Sequence, residues 1–268
     1  ENVMLGLKEA LLQEQKRLEK ILQRTTKQLQ NAPSGELRLA RSGKWTQYYR
    51  SLPGQKKNGI YIPKTNQKLI CGLAQKNYDE KVLKLAEKRI KQIAKITKDY
   101  EDDEIENVYL MEHPKRQKLI QPVEPTWDQL LREWLSADYK RKEFQEGTPV
   151  ILTERGERVR SKSEKILADY FYRKAIPYKY ECPLYLEGVG IVYPDFTFLS
   201  KKTKQEIYWE HVGRMDDPSY AEKAIQKIHT YEKNNLYPGE RLILTYETGK
   251  TILDMKLVEK LTARYLLV

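Results

Sequence analysis

The chain has little sulfur chemistry to offer. Cys71 and Cys182 are the only cysteines in 268 residues, which supplies neither a disulfide framework nor a zinc ribbon. Two free thiols in a reducing compartment are the reading that follows. Histidine is equally scarce: His113 and His229 have no partners at metal-ligand spacing, and they read as structural or surface residues. No apolar run approaches the roughly 20 residues that span a bilayer. No secretory leader and no glycine-rich phosphate loop can be recognised. These absences exclude a membrane partner and a nucleotide-driven motor, and they lead to the expectation of a cytoplasmic protein. There is no internal repeat and no low-complexity segment. Phenylalanine is sparse, at four residues against 19 tyrosines.

Charge is abundant and unevenly spread. Residues 1–100 carry 22 Lys and Arg against 9 Asp and Glu, an excess of +13, whereas 101–160 carry 10 against 14. A basic N-terminal part suits a polyanion such as nucleic acid, although a solvated lysine-rich helical surface has the same composition.

Apolar periodicity predicts a helix over 5–30, strands over 36–41, 44–50 and 59–63, and a second helix over 66–99 interrupted near Gly72. The two helical stripes can pair as an antiparallel coiled coil, and they also offer a surface for a protein partner or for self-association. The small antiparallel sheet interleaves basic residues with aromatics. Arg38, Arg41, Lys44, Arg50, Trp45 and Tyr48 are the candidates for contact with a nucleic-acid backbone and unstacked bases, with Lys56 and Lys57 beside them. A sheet face packed on a helix fits the same pattern. Residues 101–157 read as an irregular connector containing one short helix at 127–135, capped by Thr126.

Residues 158–268 read as helix, three-strand meander, helix, strand, helix: a helix from Ser161 or Ser163 to Lys174, strands over 178–186, 191–199 and 205–212, a helix from Pro218 to Asn234, a strand over 241–246 and a helix over 254–265. The chain is therefore expected to be a mixed α/β protein with three parts, 1–100, 101–157 and 158–268. Asp195 and Glu210 fall on adjacent strands that are otherwise aromatic and apolar. Burying two carboxylates there is costly, and a divalent cation relieves that cost.

The Pro194-Asp195 pair, Glu210, and the preceding helix with Ser161-Lys162-Ser163-Glu164 together resemble the PD-(D/E)XK, restriction-endonuclease-like nucleases. The resemblance covers residues 158–248. The whole chain also resembles a group of uncharacterised bacterial proteins with a basic coiled-coil N-terminal region. The resemblance implies a restriction-endonuclease-like core that hydrolyses DNA with Mg²⁺ or Mn²⁺. It further implies a metal held by Asp195, Glu210, Glu164 and the His211 backbone carbonyl. The family's lysine belongs two residues after Glu210, where this chain has Val212. Lys227, then Lys223, on the following helix are the candidate replacements; plain surface lysines are the alternative. The His211 ring should point away from Glu210, to be packed or hydrogen-bonded. Arg160 and Lys162 are candidate phosphate clamps. The expectation is a metal-dependent deoxyribonuclease. The alternative is a nuclease fold without activity that serves as a nucleic-acid-binding or scaffold protein.

Overall fold

Helix α1 (Leu7–Gln30) and helix α2 (Gln67–Thr97) lie antiparallel. Lys8 at the start of α1 bonds with Glu101 just beyond α2, while Pro33, after α1, lies against Gly72 near the start of α2. Leu11 and Leu18 of α1 meet Ala86, Ile90 and Ile93 of α2. The computed structural model describes residues 6–54 and 59–267; Lys56 and Lys57 lie outside them. It divides into two units, at Glu104 and Ile105.

Contrary to the sequence expectation, α2 is not interrupted at Gly72. A Cβ at that position would stand 3.1 Å from the Pro33 ring. The glycine admits the neighbouring chain rather than breaking the helix. Asn66 starts α2 by accepting the Leu69 N–H at 3.3 Å.

Between the helices, strands β1 (Glu36–Ser42), β2 (Trp45–Ser51) and β3 (Ile60–Ile62) form an antiparallel sheet in that order. The two-residue turn between β1 and β2 needs a positive φ at its first residue, and Gly43 supplies +58°. One face of this sheet packs inward: Leu37, Tyr48 and Ile62 join Ile70 and Leu73 of α2 in one apolar cluster.

At the division stands α3 (Glu104–Leu110), whose residues from Ile105 open the second unit; α4 (Pro114–Gln117) and α5 (Trp127–Ser136) follow. The connector thus holds more helix than its proline-rich sequence suggests. Thr126 and Gln129 form a reciprocal capping box on α5. The segment is tied to the core through Trp134 Nε1, which donates to Glu206 at 2.7 Å, and the Tyr139 hydroxyl, which donates to the Tyr180 carbonyl at 3.0 Å. A short hairpin follows, β4 (Ile151–Leu152) with β5 (Arg158–Val159), then α6 (Lys162–Arg173).

Two expected strands are each split in two. Residues 178–186 become β6 (Lys179–Tyr180) and β7 (Leu184–Leu186), because Glu181 adopts a left-handed φ of +47°. Residues 191–199 become β8 (Gly190–Val192) and β9 (Phe196–Leu199), broken at Pro194, which has no N–H for a ladder. β7 and β8 pair as a separate hairpin. Asp195 therefore stands one residue before β9 rather than within a strand.

Next come β10 (Glu206–Val212), α7 (Pro218–Lys233), β11 (Leu242–Tyr246) and α8 (Met255–Tyr265). The main sheet has the order β11-β10-β9-β6, with β10 and β11 parallel and the other pairs antiparallel. Alternation along β10 sends Ile207 and Trp209 into a core with Phe171 of α6 and Val258 of α8. Tyr208 faces the opposite way, into a cluster with Tyr231 of α7 and Leu242. Among the described residues no helix is long and apolar enough to cross a membrane.

Candidate active site

β9 pairs with β10 only as far as Phe196 and Trp209. Beyond that point β10 runs on through Glu210, His211 and Val212 with β11 alone as its partner. The vacated ladder position is filled by a side chain: Asp195 Oδ2 accepts the His211 N–H at 2.7 Å. The Val212 carbonyl accepts the Glu247 N–H at 2.8 Å. Strand alternation therefore turns the His211 carbonyl toward Asp195.

Glu210 points to the α7 face, where its Oε1 meets two groups from one helix. The Tyr231 hydroxyl donates to it at 2.5 Å, and Lys227 Nζ stands 2.6 Å away. Lys227 also donates to the Tyr193 carbonyl at 3.2 Å. Asp217 caps α7, with Pro218 at its first position. From there Tyr220, Lys227 and Tyr231 recur at helical spacing toward the sheet.

Glu164 sits in the first turn of α6. Its oxygens accept from Ser161 Oγ at 3.0 Å, the Tyr180 hydroxyl at 2.7 Å and the Arg160 N–H at 2.9 Å. Glu164, Asp195, Glu210, Val212, Lys223 and Lys227 all line a single cleft of about 280 Å³. A larger cavity of about 340 Å³ lies elsewhere, around Leu135, Tyr172 and Pro177; it is mainly apolar and has no carboxylate, so the chemistry points to the smaller one.

Burial drives the Asp195 carboxyl well above the ordinary carboxylate range, and the charge on Glu210 adds to the rise. Burial works against the charge on Lys227, but Glu210 and Asp195 outweigh it and raise its pKa. The Tyr231 hydroxyl is pushed up by burial and by Glu210, and so it remains a donor. The cleft thus sets the Asp195 and Glu210 carboxyl groups beside the Lys227 ammonium, with Glu164 and Lys223 also in its lining.

The His211 ring lies on the other face, as strand alternation requires. It is buried, with Nδ1 3.0 Å from Thr245 Oγ1 and Nε2 3.6 Å from Glu247. Burial lowers its pKa.

Several expected contact residues are occupied elsewhere. The Arg160 guanidinium is bonded to Glu181 at 2.5 Å and to the Lys142 carbonyl, with the Phe144 ring 4.3 Å away. It neutralises a buried carboxylate instead of standing ready for phosphate. Lys162 is exposed at the start of α6. In the N-terminal sheet, Tyr48 packs inward, and Arg50 donates to the Ser34 carbonyl and hydroxyl. Arg41 and Lys44 are exposed. Trp45 is 70% exposed, and Arg38 lies over the Tyr49 ring.

The residues that sequence reasoning passed over are Tyr180 and Glu181. Their signal was local: an acidic residue directly after a tyrosine within an apolar strand.

Hard carboxylate oxygens with a backbone carbonyl match what Mg²⁺ or Mn²⁺ takes, and burial of Asp195 beside Glu210 makes its charged form costly without a cation. By that chemistry the donor set fits such an ion. Among the described residues, no three His, Cys, Asp or Glu side chains are gathered closely enough to hold a metal by themselves.

Comparison with known proteins adds little. Over 85 residues, 32% of the chain, the sequence is 33% identical to uncharacterised protein MJ1519 of Methanocaldococcus jannaschii. The matched stretch spans 7% of that relative's length. No protein-family model and no solved structure matches the chain.

Proposed function

We propose that the second unit is a restriction-endonuclease-like, metal-dependent nuclease of the PD-(D/E)XK type that hydrolyses DNA phosphodiester bonds. The observation that carries this reading is the Lys227 ammonium, 2.6 Å from Glu210 in the cleft that also holds Asp195 and Glu164. A helix-borne lysine there stands in for the one missing at Val212.

Asp195, Glu210 and the His211 carbonyl would hold the cation. A divalent ion bound there would supply charge for a strained phosphate and acidity for an attacking water. The remaining roles fall to the chain's own groups. The His211 amide fixes Asp195 Oδ2 and leaves Oδ1 for a ligand. Tyr231 and Lys227 fix Glu210, and the Lys227 ammonium offsets charge that builds on a phosphate oxygen. Glu164 adds negative charge from α6, held in place by Tyr180 and Ser161.

A second reading has its own support. Lys227 already neutralises Glu210, and no three-ligand cluster stands among the described residues, which suits a nuclease fold without activity that binds nucleic acid. Calorimetry with Mn²⁺ and single-turnover cleavage of DNA separate the two. The nuclease reading expects Mn²⁺ to bind the wild type and not Asp195→Asn. Lys227→Ala should slow cleavage about a hundredfold or more with DNA affinity little changed. Equal Mn²⁺ binding by wild type and Asp195→Asn would overturn the nuclease reading.

A further inference from the structure

The three-stranded sheet of the first unit has a second face. Cross-strand register sets Arg38 opposite Tyr49, and Tyr49 opposite Tyr61, so these three side chains form one row across β1, β2 and β3. The row is the reverse of the face carrying Leu37, Tyr48 and Ile62, which packs on α2. The Tyr49 and Tyr61 rings meet edge to face at 5.7 Å, and the Arg38 guanidinium lies 5.2 Å from the Tyr49 ring centre. Trp45 is on the same face, four residues before Tyr49 on β2, with Lys64 Nζ 4.6 Å from its ring centre. Trp45 is nonetheless 70% exposed and Tyr61 50% exposed.

Aromatic rings in water on a sheet face need an explanation that the unit's own core does not give, since that core is built on the opposite side. The surrounding charge is one-sided. Among the described residues between 36 and 64, the cations are Arg38, Arg41, Lys44, Arg50 and Lys64, and the only acid is Glu36. Cations beside exposed ring faces suit a polyanion whose flat groups are open to stacking. Duplex DNA offers the anion but hides its bases. A single strand offers both.

We propose that this outer face, formed by Tyr49, Tyr61 and Trp45 with Arg38 and Lys64, is a stacking platform for single-stranded nucleic acid. Bases lie on the exposed rings while the cations follow the phosphates. The proposal stands apart from the nuclease reading, because it concerns residues outside the cleft and binding without cleavage.

The test is fluorescence anisotropy of the full chain with a labelled oligothymidylate and with a duplex of equal length. EDTA keeps any metal-dependent cleavage silent. The single strand is expected to bind more tightly than the duplex. Each of Tyr61→Leu and Trp45→Ala should weaken it by about fivefold or more, the scale of losing one stacked base, and Tyr61→Phe should retain it. Leucine keeps the apolar bulk of the strand while removing the ring face, so thermal melting of Tyr61→Leu is expected to match the wild type. Should Tyr61→Leu melt early, Trp45→Ala alone decides, since that ring stands largely in water. Equal affinity for single strand and duplex would overturn the proposal, and so would variants that bind the single strand as well as the wild type.

Discussion

The two sheets of this protein are finished differently. The four-stranded sheet is packed on both faces, by α6 and α8 on one and by α7 on the other. Among the described residues, the apolar cluster of the three-stranded sheet lies on one face only. A sheet covered twice can meet a ligand only at a strand end or an edge. That is where Asp195 and Glu210 stand, at the point where β10 outruns β9. A sheet covered once can meet a ligand on its open face, and there the exposed rings of Tyr61 and Trp45 are found. Burial makes charge costly in the first and leaves it cheap in the second. The carboxylates of the cleft are held by an ammonium and hydrogen-bond donors, whereas Arg38 and Lys64 on the outer face lie over aromatic rings.

The largest effect expected from this contrast is Phe171→Ala. The Phe171 ring is fully buried and has Phe196, Phe198, Tyr178 and Trp209 within 6.0 Å, centre to centre. Its loss should cost about 3–5 kcal/mol, read by urea unfolding as early melting of the second unit with the first unchanged. Next comes Tyr48→Ala on the covered face of the small sheet. Half-buried, it should cost about 1–2 kcal/mol by lost apolar burial. If Tyr49→Ala on the open face destabilised as much, the two faces would not differ as described.

A smaller effect is expected from Asp195. Its folded pKa is raised, so its stabilising contribution is present below the ordinary carboxylate range and is lost as pH rises through the raised folded value. Asp195→Asn keeps a neutral side chain at every pH. In EDTA, scanning calorimetry should therefore show the variant melting above the wild type at neutral pH, with the gap closing toward pH 4. A constant gap would mean that Asp195 carries its charge without penalty. The smallest effect is that of Trp45→Ala on stability, expected to stay within about 0.5 kcal/mol because the ring buries little.

Much of this was legible in the sequence. Leucine and isoleucine periodicity located α1, α2 and α7 to within two or three residues, because amphipathic helices state their period plainly. The pairing of a carboxylate with aromatic strand residues located Asp195 and Glu210. Helical spacing brought Lys227 to the same face as Tyr231. The sequence did not reveal which way Tyr48 and Tyr49 point, since β2 has aromatics on both of its faces. Nor did it show that Arg160 is taken up by Glu181, because that pairing depends on a left-handed residue whose type, glutamate, gives no warning of it. The strand break at Glu181 was missed for that same reason, whereas the break at Pro194 had a signal in the proline itself, which cannot donate to a ladder.

The bond from the His211 amide to Asp195 has a consequence for measurement. A carboxylate completes a β-ladder there, so the state of Asp195 is written into a main-chain proton. Protonating the carboxylate, replacing it with an amide or drawing it onto a cation would each change the strength of that bond. The nitrogen and proton shifts of the His211 amide, with its rate of exchange against deuterium, would then report on the cleft without any substrate or added probe.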